Sequence, residues 1–189
     1  VVAAKEGLVT FHGTTIVDAT GDGDVAYRAG CEMETLGDET TGWRPPVTVA
    51  WAIGNVDVDR LYAWLDGGPE LDRHQYKAFN DLLRDYREQG YNLPGWIGFN
   101  KTTVPGVISI NNGTSLDLQL DCSKSASLTL MEKMAIDQAL DFVRFAREKG
   151  LPGLENAYLM RTGGYAMARD TRRLVGEYRF SDKDVMEGT

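Results

Sequence analysis

Cysteine and histidine each occur only twice in the 189 residues, and no long apolar run is present. Cys31 and Cys122 lack C-x-x-C spacing, which argues against zinc or any other metal and against a disulfide framework, although a single bridge between them stays open. Two buried, unpaired thiols suit a reducing compartment, with the cytoplasm favoured. His12 and His74 have no Ser, Cys or acidic partner close in sequence, which argues against histidine-based catalysis. Without an apolar stretch of spanning length there is no sign of a membrane partner. Positive charge is also short, with 20 Lys and Arg against 28 Asp and Glu and a net charge of -8. Such a surface repels a phosphate backbone, so nucleic acid is not an expected partner.

What is present is ordinary globular material, 42% hydrophobic and 25% charged. That is enough for one domain with a core or two very small ones. Leu8–Phe11 and Thr14–Val17 read as two strands joined at His12-Gly13. Residues 25–30 give at most a turn or two of helix, closed by Gly30. The acidic stretch 32–46, with Pro45 and Pro46, reads as a loop or crossing. Val47–Ile53 is a strand whose apolar residues do not alternate, so both faces are expected to be covered.

Asp57 caps a short helix through Leu65, ended by Gly67-Gly68. Asp72 opens another helix, with Tyr76, Phe79, Leu82, Leu83 and Tyr86 as a core stripe and Gly90 as its stop. Trp96–Phe99 and Val107–Ile110 are strands, and Asn111-Asn112-Gly113 reads as a turn, with a polar pocket wall as its second reading. Thr129 and Glu132 read as a capping box for a helix over 130–149, with Ile136, Ala139, Leu140, Val143 and Ala146 inward. Ala157–Met160 and Val175–Phe180 are late strands. Ser181 to Asp184 looks like a further helix start.

The most informative segment is Thr14 to Ala26, β-branched residues running into Gly21-Asp22-Gly23-Asp24. Gly21 to Ala26 fits the G-x-G-x-x-A dinucleotide pattern, but the helix stops at Gly30 and an acidic loop follows. It is therefore not the first unit of a nucleotide-binding βαβ fold. Two readings remain. The turn serves a cofactor, its amides toward a phosphate and a carboxylate toward ribose or ribityl hydroxyls. Alternatively it only caps a helix, through Asp22 or Asp24.

The string Val17-Asp18-Ala19-Thr20-Gly21-Asp22-Gly23-Asp24-Val25-Ala26 resembles the ATGDGD segment of FAD-dependent oxidoreductases of the glutathione-reductase-like superfamily. Arg169-Asp170-Thr171-Arg172-Arg173-Leu174-Val175-Gly176-Glu177-Tyr178 is similar to the same family's R-E-T-R-R-I-x-G-x-Y stretch, with Asp170 where Glu is usual. The resemblance spans nearly the whole chain. It implies an α+β fold: a mixed, mainly antiparallel sheet of five or six strands with helices packed on one face, as a fragment of a two-domain FAD/NAD(P)-binding flavoprotein. Residues 1–31 would belong to the FAD-binding domain, 32–181 to a substrate-side domain, and 182–189 to a segment returning to the FAD domain.

The resemblance further implies FAD as cofactor of the full-length protein, with Thr20, Gly21, Asp22, Gly23 and Asp24 in contact with it. Arg169, Arg172 and Asn111 would line the small-molecule substrate's side; the other reading of Arg169, Arg172 and Arg173 is a structural ion-pair network with the many acidic residues. The reaction would pass a hydride from an organic substrate to FAD. The resemblance also implies a G-x-G-x-x-G turn that these residues do not supply, so the isolated chain is expected to hold FAD weakly or not at all, to be inactive, and to self-associate through the face meant for the missing FAD-binding domain. The alternative is a non-catalytic ligand-binding or assembly module derived from a flavoprotein.

Overall fold

The computed structural model describes residues 1–35, 47–66, 77–113, 120–168 and 171–188. In chain order the elements are β1 (Val2–Ala4), β2 (Gly7–Val9), α1 (Asp24–Arg28), β3 (Met33–Thr35), β4 (Trp51–Gly54), α2 (Val58–Asp66) and α3 (Lys77–Glu88). They continue with β5 (Trp96–Lys101), β6 (Ile108–Gly113), α4 (Ser125–Glu148), β7 (Tyr158–Thr162), β8 (Arg172–Leu174) and α5 (Asp182–Glu187). The chain divides into two compact units, Gly37–Thr171 and a smaller one made of Val1–Leu36 with Arg172–Thr189.

The larger unit is α+β. Its sheet has four strands in the order β5-β6-β4-β7, each pair antiparallel. Among the described residues every pair is antiparallel and this sheet has four strands, where five or six were expected. Register aligns the large side chains: Phe99 lies opposite Ile110, which lies opposite Trp51, and Ile108 lies opposite Ile53. With Ile97 they form one apolar face by the two-residue period of a strand.

Onto that core pack Leu61 of α2, Phe79 and Leu83 of α3, and Phe142 and Phe145 of α4. Edge-on ring contacts join Phe142 to Trp51 at 5.5 Å and to Phe79 at 6.3 Å. All four residues of β4 are buried, as its unbroken apolar run predicts. A second cluster of Val47, Val49, Cys122, Met131, Ala135 and Ala166 extends the core toward the start of α4.

Several local expectations meet tertiary competition. Asn111, Asn112 and Gly113 do not turn; they complete β6 by pairing with Gly98, Ile97 and Trp96. The longest helix begins at Ser125, a turn ahead of Thr129. Asp121 organises the approach, accepting from the Ser123 amide at 3.1 Å and hydroxyl at 2.6 Å. Thr129 therefore sits inside the helix, its hydroxyl donating to the Ser125 carbonyl at 3.0 Å. The Glu132 carboxylate accepts from the Ala166 amide at 2.8 Å instead of closing a capping box. Ile136 and Leu140 are exposed, whereas Ala139, Val143 and Ala146 are buried as expected, together with Met131, Ala135, Gln138, Phe142 and Phe145. Asp57 does cap α2, accepting from the Arg60 amide at 3.1 Å. Gly90 ends α3 at φ 95°. Gly67-Gly68, Asp72, His74 and Tyr76 lie outside the described residues.

The smaller unit contains two short antiparallel pairs, β1 with β2 and β3 with β8. Residues 14–17, expected as a strand, have no partner among the described residues and carry exposed Ile16 and Val17. The hairpin instead forms earlier, Val2 opposite Val9, with Gly7 at φ 115°. Helix α1 is short, as Gly30 requires, but its N-cap is Gly23 rather than Asp22 or Asp24. The late strand is Arg172–Leu174, ahead of the expected Val175–Phe180. Ser181 and Asp184 form the reciprocal capping box of α5. Cys31 is exposed rather than buried, Cys122 is buried, and no disulfide joins them. No helix among the described residues is long and apolar enough to cross a membrane.

Candidate functional site

The glycine turn is held together by Asp18. One carboxylate oxygen accepts from the Thr20 amide at 2.9 Å and the Thr20 hydroxyl at 2.6 Å. The other accepts from the Ala26 amide at 2.8 Å. The Thr20 hydroxyl in turn accepts from the Asp24 amide at 2.7 Å. These donors, the Thr20 hydroxyl foremost, hold the Asp18 carboxyl down at about 2. The loop 18–26 is thus a closed lattice of local hydrogen bonds, and Thr20 is occupied on both sides.

Its two glycines have different jobs. Gly23 sits at φ 62°, and a Cβ there would lie 3.0 Å from the Met33 methyl. Glycine suits that left-handed backbone best. At Gly21 a Cβ would meet nothing within 4 Å, so the space beside its Cα is open. Asp22, half-buried, lies between them.

Strand β8 brings Arg172 to the same place. Its guanidinium pairs with the Asp24 carboxylate and lies over the Tyr27 ring, 4.3 Å from the centroid. The Arg172 side chain is 12% exposed, and its Nε is buried without a hydrogen-bond partner. Neighbouring Arg173 stands opposite Glu34 across the strand pair. Arg169 and Asp170 lie outside the described residues.

Asn111 belongs to the larger unit, exposed on β6 opposite Gly98 of β5. That unit also has an open concavity of about 370 Å³ between Val56–Asp59 and Lys101–Val107. Most of its polar groups serve the fold: Asp57 caps α2, Thr102 bonds within its own loop at 2.9–3.2 Å, and Lys101 lies over the Tyr62 ring. His12 is exposed in the smaller unit. Among the described residues no group of three or more His, Cys, Asp or Glu is arranged to hold a metal ion.

Asp18 and Tyr27 are the residues that sequence reasoning did not place in the site. The Asp18-x-Thr20 spacing is a readable signal, since an Asp carboxylate commonly bonds the backbone two residues on. Tyr27 carries no such signal, because its role depends on a residue far along the chain.

A family model described as FAD dependent oxidoreductase matches the chain over residues 1–189. No curated protein and no solved structure matches it.

Proposed function

The chain belongs to the FAD dependent oxidoreductase family, and from that premise we propose that its Asp18–Asp24 turn is a supporting contact for FAD in a reaction that takes a hydride from an organic substrate. The open space beside the Gly21 Cα, at the turn whose sequence resembles the family's cofactor segment, is the observation that carries this reading. The chemistry of the turn favours the hydroxyl-bearing part of the cofactor over its pyrophosphate. Three carboxylates, Asp18, Asp22 and Asp24, fall within seven residues, and Asp24 is paired with a cation, Arg172, so the net negative charge that remains disfavours phosphate. A carboxylate accepts from ribityl or ribose hydroxyls, and backbone amides donate to their oxygens.

Of the five cofactor residues, Gly21, Asp22 and Gly23 form the contact face in this reading, while Thr20 and Asp24 brace it. FAD, when bound, supplies the two-electron chemistry, and the chain's share is to bind and orient. On the substrate side we propose Asn111, whose exposed amide stands opposite a glycine, and Arg169, on sequence grounds alone. The small-molecule substrate and the rest of the FAD-binding domain are the partners this reading requires. We propose too that residues 1–189 alone are inactive.

The test is titration of FAD into the ¹⁵N-labelled chain. Shifts of the Gly21, Asp22 and Gly23 amides are expected, with a Kd weaker than about 1 μM, because one supporting contact recovers little of the cost of immobilising a ligand. Asp18→Ala should abolish those shifts by dissolving the turn. Absence of any shift up to about 5 mM FAD, or shifts confined elsewhere, overturns the contact. Sub-micromolar binding overturns the view that it is only a supporting one.

A further inference from the structure

We propose that Arg172 is a positioning residue, whose grip on the Asp24 carboxylate over the Tyr27 ring fixes the Gly21–Gly23 face. The proposal rests on the flavin reading only for what that face meets; the bracing exists without cofactor.

Asp24 is the joint between turn and helix α1, and it is held from two sides. Its amide donates to the Thr20 hydroxyl at 2.7 Å, and its carboxylate takes the Arg172 guanidinium. Tyr27 lies three residues further on, so Asp24 and Tyr27 share one face of α1. A planar guanidinium can stack on that ring and pair with the carboxylate at once, which an ammonium cannot. Arg172 is itself anchored independently of Asp24. Its backbone lies opposite Thr35 in the β3–β8 pair, and the Val175 amide donates to the Glu32 carbonyl at 3.0 Å.

Charge explains why the brace matters. Asp18 is satisfied by amides and a hydroxyl, and Asp24 is a further carboxylate, two residues from Asp22 in sequence. Like charges so near push the turn open or draw glycine amides inward as donors. Arg172 pairs with Asp24 and so removes that push on the Gly21–Gly23 segment. The side chain that the family resemblance assigns to substrate is in this view committed to the turn, linking two motifs 148 residues apart.

The experiment compares Arg172→Gln, Arg172→Lys, Tyr27→Leu and the charge swap Asp24→Arg/Arg172→Asp by amide exchange and chemical shift, first without FAD. In Arg172→Gln, exchange at the Asp24 and Ala26 amides should rise about tenfold, while the Val175 amide and the sheet amides of β5 and β6 stay unchanged. Lys should restore less than half of the loss, the swap most of it, and Tyr27→Leu should loosen the same two amides. Unchanged exchange at Asp24 and Ala26 overturns the proposal. An equal rise at Val175 also overturns it, because that marks general loosening of the unit. FAD titration of the same variants separates the two readings. If the native turn ignores FAD yet loosens in Arg172→Gln, the bracing stands and the flavin contact fails. If FAD shifts the turn equally in both, the bracing fails and the flavin contact stands.

Discussion

A carboxylate that accepts from a hydroxyl and two amides resists protonation, and Asp18 is such a group. Its folded value of about 2 lies below the usual 3.8, so the turn gains from the charged form. The stabilisation is fully present above the unfolded value and is lost as pH falls through 3.8 toward 2. A carboxyl ¹³C titration should place the Asp18 midpoint near 2, with the Ala26 amide shift following the same curve; a midpoint near 3.8 would contradict the hydrogen-bond lattice. Gly23→Ala should loosen the turn by about 1–2 kcal/mol, because a Cβ is costly at positive φ and meets Met33. Gly21→Ala, with open space at its Cβ, should cost far less, and local amide exchange separates the two. The glycines and Thr20 were legible from the sequence as a turn. The organising part played by Asp18 was less so, because the role of a carboxylate depends on which donors converge on it, and Ala26 lies a helix start away.

Elements with their own start and stop chemistry were the readable ones. Asp57 ahead of α2, Gly90 after α3, Gly150 after α4 and the Ser181–Asp184 pair all act as their residue types suggest. Elements decided by a distant neighbour were not. Asn111 to Gly113 extend a strand because β5 supplies partners, and Thr14 to Val17 stay irregular for want of one. Glu132 is drawn from the helix it was expected to cap toward the Ala166 amide. Thr129→Ala should therefore leave stability unchanged or raise it by a few tenths of a kcal/mol, in contrast to the ~1 kcal/mol loss of a true N-cap. Ser181→Ala should show that loss, read as faster amide exchange in α5. At the centre of the aromatic cluster, Phe142→Ala should cost the larger unit about 3–5 kcal/mol by its denaturant midpoint.

The two units differ in how they are held. Every buried apolar side chain among the described residues belongs to the larger one, whereas Leu8, Phe11, Ile16, Val17, Phe180 and Met186 of the smaller one are exposed. Amide exchange should accordingly sort into two classes, slow in β4 to β6 and α4, fast in the turn and in β3–β8. The exposed apolar residues also motivate the proposed self-association, which size-exclusion chromatography over a range of concentrations checks; a fixed elution volume counts against it. The composition revealed that one real core was affordable, but not that it would be confined to one stretch of chain. That stretch is inserted into the smaller unit, whose parts come from Val1–Leu36 and Arg172–Thr189. Time therefore enters the structure. On a ribosome Asp24 emerges long before Arg172, and the intervening core can fold in the interval. Closing so long a loop is entropically costly unless that core first shortens it. The glycine turn, first in the sequence, is then the last part of the molecule to be finished.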